Sequence, residues 1–335
     1  MNIVQEGQYF LKSVSQQFPK KLHIMIEFGF KTLSISRIKS LNSNARSLVE
    51  NRNTAESKIY RLTSNKNLVY ILPKLVVHFV EIKKGAFINI DFSDFNGFMV
   101  LMFALQTKKG RAIPLYFNII QYPIKKGSQN LFIKECIKDF LNIINNKQVT
   151  FVMDRGFACP HLLGFLCNIK QYFVVRVKRI KHVRLKNGKK KKVEDMHFKD
   201  MDIYAYENNL RVVRSDKTKG CKENWYLITN NFKIKYKKII KTYYYRFEIE
   251  ELFKDNKHLH GLEFIRIKKT QSMKIVLYFV MIGIWFFNYL EKESSQGEIN
   301  IKKIRGKKRE LSYLYYWFEQ LRRITKIDFL NSLRI

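Results

Sequence analysis

In the segment TYYYRFEIEELFKDNKHLHGLE, Tyr243, Arg246, Glu250 and Lys257 stand at a Tyr-x2-Arg-x3-Glu-x6-Lys spacing. On a helix turning about 100° per residue, these four side chains fall within roughly 60° of arc. A phenol, a guanidinium, a carboxylate and an ammonium on one stripe suit the gripping of a phosphodiester and the holding of a metal ion. The same stripe also reads as a solvated face of i,i+3 and i,i+4 ion pairs. Two acids upstream favour chemistry.

FINIDFSDF carries Asp91 and VTFVMDRGF carries Asp154. Each run is β-branched and aromatic, so each is expected to be a short strand with the acid as its last residue. Strand ends are good places for catalytic groups, because the sheet fixes them while the following loop leaves them open. Either Asp taken alone also reads as a turn former or a helix cap. With Glu250 they make three carboxylates on separate elements, a hard-oxygen set suited to Mg²⁺ or Mn²⁺.

With these residues in place, the chain resembles the DDE transposases of the bacterial insertion-sequence group that carries the YREK signature, the family named after insertion sequence four. The resemblance rests on Asp91 in IDFSDF, Asp154 in MDRGF, and Tyr243, Arg246, Glu250 and Lys257 at the signature spacing. NWYLITNN at 224–231 is similar to the family's strand before the signature helix. SKIYRLTSN at 57–65 is similar to a segment before the first catalytic strand. Residues 30–290, in round terms, are covered.

The resemblance implies an α/β fold: a ribonuclease H-like catalytic core with an inserted β-rich subdomain, preceded by a helical DNA-binding domain. It implies that Asp91, Asp154 and Glu250 hold two Mg²⁺ ions, with Mn²⁺ able to substitute, for phosphodiester hydrolysis and strand transfer. Tyr243, Arg246 and Lys257 would contact phosphates, in a family linked to a hairpin intermediate at the transposon end. Trp225 matches the position that receives a flipped base; without the resemblance, a Trp in an apolar strand reads as a core residue. The implied activity is cut-and-paste DNA transposition. Its partners would be double-stranded terminal inverted repeats and target DNA, engaged by a homodimer in a prokaryotic cytoplasm, at the nucleoid. A ribonuclease H-like nuclease without transposition, or a silent DNA-binding remnant of a mobile element, are the alternatives; the presence of all three acids speaks against decay of the site.

Composition points independently to a polyanionic partner. With 63 Lys and Arg against 28 Asp and Glu, the formal charge is +35 over 335 residues, which favours DNA through counterion release. Hydrophobic residues at 46% and aromatics at 14% exclude a disordered basic tail. Cys136, Cys159, Cys167 and Cys221 form no C-x-x-C pair, and no His lies at zinc-finger spacing, so neither a disulfide framework nor a structural zinc is indicated. MNIVQEGQYFLKSVSQ lacks the charged and apolar regions of a secretory leader. The uncharged run IVLYFVMIGIWFFNYL at 275–290 is shorter than the roughly 20 residues that span a bilayer, and is read as a core helix with no membrane partner.

The elements that must position these residues follow from periodicity. Residues 1–80 read as helical. Ile35, Ile38, Leu41, Ala45 and Leu48 are spaced for one helix, and Asn53 or Thr54 caps a second that carries Lys58, Tyr60 and Arg61, candidates for reading the transposon end or simply a basic packing helix. Residues 81–295 form the catalytic region. Three strands come first, with turns at Asn96-Gly97 and Lys109-Gly110. Helices near 129–146 and 159–169 then alternate with strands VTFVMD and YFVVRVK. A β-rich insertion is placed at about 179–238, with Asn187-Gly188 expected as a type I′ hairpin and Lys189 to Lys192 basic on its return strand. Residues 296–335 are a basic connection followed by a helix with apolar residues at Leu311, Leu314, Tyr315, Phe318 and Leu321.

Overall fold

Local sequence signals set the first strands. In the computed structural model, Asn96 and Gly97 both take positive φ, 53° and 85°, the type I′ geometry that matches strand twist. They join β1 (Phe87–Phe95) to β2 (Phe98–Leu105), and β3 (Ile113–Ile120) completes an antiparallel meander. The structure describes residues 3–49, 51–120, 128–185, 187–195, 200–205, 208–215, 223–295 and 313–323.

The N-terminal region contains α1 (Ile3–Gln16), α2 (His23–Gly29) running on into a π-helical turn over Phe30–Ser34, α3 (Leu41–Arg46), α4 (Arg52–Thr63), α5 (Lys66–Ile71) and α6 (Val76–Phe79). The single helix expected through Ile35 and Leu48 is short: Ser40 caps α3 by accepting from the Ser43 amide, which leaves Ile35 and Ile38 in the preceding connection. The cap of α4 is Asn51, which accepts from the Thr54 amide, and not Asn53 or Thr54. Pro73 sits at the start of a 3-10 turn between α5 and α6.

After β3 come α7 (Ser128–Ile143), β4 (Thr150–Met153), α8 (Pro160–Asn168) and β5 (Tyr172–Val177). The insertion supplies β6 (His182–Leu185), β7 (Lys190–Lys192), β8 (Asp200–Ala205) and β9 (Asn208–Arg214), and the chain returns through β10 (Tyr226–Thr229). Among the described residues these strands form one sheet in the order β3, β2, β1, β4, β5, β10, β9, β8, β6, β7. Pairing is parallel for β1 with β4 and for β4 with β5. Strands β6 to β9 therefore extend the sheet through β10, antiparallel to β5. At Asn187-Gly188 the glycine takes a positive φ, 83°, and its amide donates to the Leu185 carbonyl at 2.9 Å, so the reversal does not close across the Asn-Gly pair as a two-residue type I′ hairpin would.

α9 (Tyr236–Tyr244) and α10 (Phe247–His258) lie against the sheet, followed by α11 (Thr270–Ser295) and α12 (Tyr313–Arg323). Among the described residues α11 is the one helix long and apolar enough to cross a membrane, and 89% of its apolar window is buried inside the protein. It packs against β3 on one side and the N-terminal helices on the other. Gly29 and Gly283 make that approach possible: a Cβ on Gly29 would run into the Phe279 ring, and one on Gly283 into the Ser34 backbone. Ser34 Oγ donates to the Phe279 carbonyl at 2.6 Å across the same contact. Trp317, Phe318 and Leu321 of α12 are buried against this core. Cys136, Cys159 and Cys167 are free thiols, while Cys221, Leu311 and most of the basic connection lie outside the described residues.

Candidate active site

Asp91 is not the last residue of its strand. It lies in the middle of β1, and its exposure to the site comes from pairing: the parallel ladder to β4 ends at Ile90 and Met153, while the antiparallel ladder to β2 continues from Asp91 to Phe95. Where the parallel ladder parts, Asp91 and Asp154 are neighbours. Asp154 follows β4 directly, as expected, and the chain then turns into a 3-10 turn over Arg155–Phe157. Phe157 stacks on Phe92 at 5.6 Å, fixing that turn against β1.

The expected single helix is broken. α9 ends at Tyr244 and α10 begins at Phe247, with Arg246 at the junction. A buried side chain accounts for the break: Asn89 Nδ2 donates to the carbonyls of Tyr245, at 3.2 Å, and Arg246, at 3.4 Å. Gln106 Nε2 donates to Asn89 Oδ1 at 2.6 Å and to the Thr242 carbonyl at 3.0 Å. Side chains that bond to helical carbonyls in this way are a recognised cause of kinks. Asn89 and Asp91 lie two apart on β1 and so project to the same face, which ties the break to the acid opposite.

α10 is tied down again one turn later. Glu248 accepts from the backbone amides of Thr107, at 2.9 Å, and Gly110, at 3.0 Å, and Arg111 pairs with Asp255 at 2.5 Å and Glu251 at 3.3 Å. Burial raises the Glu248 carboxyl above the usual range, against the amides that lower it. Sequence reasoning missed Asn89, Gln106, Glu248 and Arg111. One signal was available for Asn89: an amide alone among apolar residues in FINIDF, in phase with Asp91.

Five of the candidates converge. Arg246 is 5% exposed; its Nη1 donates to Asp91 Oδ2 at 3.0 Å and its Nη2 to Glu250 Oε1 at 2.7 Å. Tyr243, fully buried, donates its hydroxyl to Asp154 Oδ1 at 3.0 Å. Asp91 also accepts from the Phe92 amide at 2.8 Å. Burial pushes the Asp91 carboxyl up to about 6, helped by Asp154 and Glu250, although the Arg246 charge and the Phe92 amide pull the other way. Burial likewise raises the Tyr243 phenol. For Arg246 burial opposes the charge, but Tyr243, Asp91 and Glu250 outweigh it and hold the guanidinium protonated.

Among the described residues no three metal-binding side chains close into one group, because Arg246 stands between Asp91 and Glu250. The guanidinium marks a position where these carboxylates share one cation, and the donors are hard oxygens, so the set fits a divalent ion in place of the arginine. The Arg246 Nε is buried with no hydrogen-bond partner among the described residues, a donor whose desolvation is uncompensated.

The remaining candidates are elsewhere. Lys257 lies seven residues beyond Glu250, about 10 Å along the helix axis, with its ammonium 5.6 Å from the Phe95 ring centroid. Trp225 is 2% exposed. Its ring meets Tyr243 edge-on at 5.0 Å and Phe247 at 6.2 Å, so it is a core side chain that presents no open face to a base. Lys58 and Arg61 are exposed on α4, whose Ala55, Ile59 and Leu62 are buried.

Comparison with known proteins bears on this arrangement. A family model described as the transposase DDE domain matches residues 133–286, a span that takes in Asp154, Trp225, Tyr243, Arg246, Glu250 and Lys257 and begins after Asp91. No curated protein matches. Among solved structures the chain is similar to a piggyBac transposase in a synaptic complex with hairpin DNA, at 11% identity and a TM-score of 0.52, over 99% of this chain and 79% of that one. At that identity the likeness is one of fold, a mixed α/β architecture with a large mixed sheet. Together, the domain match and the fold support a DDE transposase.

Proposed function

We propose that this protein is a metal-dependent DNA transposase with a ribonuclease H-like core, of the insertion-sequence group that carries the YREK signature. One observation carries the reading: Asp91, Asp154 and Glu250, from two strands and a helix, are gathered around Tyr243 and Arg246 where β1 and β4 part. The strand order β3, β2, β1, β4, β5, with acids at the ends of the parallel ladder, supports the ribonuclease H-like assignment.

Asp91, Asp154 and Glu250 would hold Mg²⁺, or Mn²⁺ in its place. When bound, such ions supply activation of a water or 3′-hydroxyl nucleophile and stabilisation of the leaving oxygen in an in-line displacement. The protein's own residues do the positioning. Arg246 already holds Asp91 and Glu250, and its unpartnered buried Nε is suited to a phosphate oxygen. Tyr243 orients Asp154 through its hydroxyl. Lys257 would meet the same strand further along α10. Lys58 and Arg61 on the N-terminal helices would contact the transposon end. Cut-and-paste transposition through a DNA hairpin, by a homodimer that pairs two ends in the cytoplasm, completes the proposal; the piggyBac neighbour's complex with hairpin DNA is consistent with it.

Cleavage of the DNA that flanks the reading frame tests the assignment. Asp91→Ala, Asp154→Ala and Glu250→Ala should each abolish Mg²⁺-dependent nicking while DNA binding persists, since binding rests on basic contacts. Glu251→Ala and Asp94→Ala should keep clearly more activity. Near wild-type nicking by any of the three removes that residue from the centre.

A further inference from the structure

At the same end of the sheet, on the opposite face from Tyr243, lies a cavity of about 510 Å³ lined by Arg155, Ala158, Val177, Lys178, Ile180, Lys181 and His182. The placement follows from strand alternation. Val174 of β5 belongs to the small cluster with Trp225 and Tyr243, whereas Phe173, Val175 and Val177 face the main core with α8. Arg155 is the residue next to Asp154, in the turn that leaves the site. Lys178 follows β5 directly. A strand crossing the carboxyl ends of β1, β4 and β5 would therefore meet the signature side first, Asp154 next, and this cavity last.

The lining chemistry selects an anion. Two lysines, an arginine and a histidine face the space with no acid among the lining residues. Among the acids nearby in sequence, Asp154 accepts from Tyr243, Glu194 pairs with Arg179 and Lys192, and Glu223 pairs with Arg176. The volume exceeds what one small ion needs and suits a phosphodiester with its sugar. The apolar floor of Val177 and Ala158 and the exposed Ile180 suit a sugar's carbon face.

We propose that this cavity is a second phosphodiester subsite, which holds the DNA strand on the side of the cut opposite Tyr243 and Arg246, with Arg155 and Lys178 as its phosphate contacts. The inference rests on the functional reading above and adds where the strand goes after the acids.

The experiment uses the full chain and an end duplex carrying single neutral methylphosphonates, with affinity measured across salt concentrations. Arg155→Ala and Lys178→Ala remove exposed side chains, so the thermal midpoint should hold. Each should lower the slope of log affinity against log salt by about 0.9. At one phosphate beyond the cut, the methylphosphonate should weaken wild type yet add nothing in the doubly substituted protein, the non-additivity of a shared contact. Unchanged slopes, or additive losses at every phosphate, overturn the subsite. If saturating inorganic phosphate erases the difference between wild type and Lys178→Ala, the cavity takes free phosphate and the strand assignment falls. Acid-dependent cleavage by wild type alongside pocket variants that bind equally well overturns this inference alone; a wild type that neither binds nor cleaves DNA overturns the functional reading with it.

Discussion

Arg246 bridges Asp91 and Glu250, with one guanidinium nitrogen on each carboxylate. This buried cation neutralises the acids on which a divalent ion would depend. A divalent ion would therefore compete with the arginine for the same oxygens, and a phosphate that draws the guanidinium away would favour metal loading.

Arg246→Ala should accordingly bind Mn²⁺ more tightly than wild type in the absence of DNA, by at least about fivefold, the lower end of ordinary coupling between sites. Titration followed by the Mn²⁺ electron-paramagnetic signal reads this directly. The same variant should be impaired after the first nick more than in the nick itself. Equal Mn²⁺ affinities would show that Arg246 does not compete.

The Asp91 carboxyl gives a pH signature. Its folded value, about 6, lies above its ordinary 3.8, so the folded protein holds this proton more tightly than the unfolded chain. The resulting stabilisation is fully present below about pH 4 and is lost as pH rises through 6. In metal-free protein, the stability of wild type relative to Asp91→Asn should thus fall between pH 4 and 6 and level off above. A flat difference across that window would mean that burial does not perturb Asp91.

Asn89 and Gln106 should behave as one clamp. Replacing either by Leu leaves buried polar groups without partners, at about 1–3 kcal/mol each. Because the two share a bond, the double variant should lose less than the sum of the single variants in urea denaturation. Strictly additive losses would separate them.

Trp225→Ala should lower stability by about 3–5 kcal/mol, as expected for truncating a buried aromatic, and damage every DNA step alike because Tyr243 loses its packing partner. Trp225→Phe should restore most of both. An unchanged thermal midpoint with a defect confined to hairpin formation would instead assign the ring to an extruded base.

The acids and their partners were legible in the chain because spacing along a helix and position beside a strand are local properties. Asp91, Asp154, Tyr243, Arg246 and Glu250 do meet. What escaped was non-local. Asp91 reads as a strand end only until β2 is seen pairing beyond it. The break before Phe247 is caused by Asn89, more than 150 residues upstream, and no feature of TYYYRFEIE announces it. Trp225, the residue before β10, is buried against Tyr243 of α9, a contact that periodicity alone does not supply. Turn chemistry misled where composition was the same: Asn96-Gly97 and Asn187-Gly188 are one dipeptide, yet only the first closes as a two-residue turn between paired strands.

The close seating of Gly29 and Ser34 against Phe279 and Gly283 has a consequence for synthesis. The helices from α1 to α5 have their apolar faces matched to α11, which is synthesised only after the whole sheet. They cannot complete their packing as an independent unit in advance of the rest, as N-terminal domains commonly do. A chain truncated before α11 would therefore leave these helices without their partner and open to proteolysis. The helical layer and the sheet would therefore become available together.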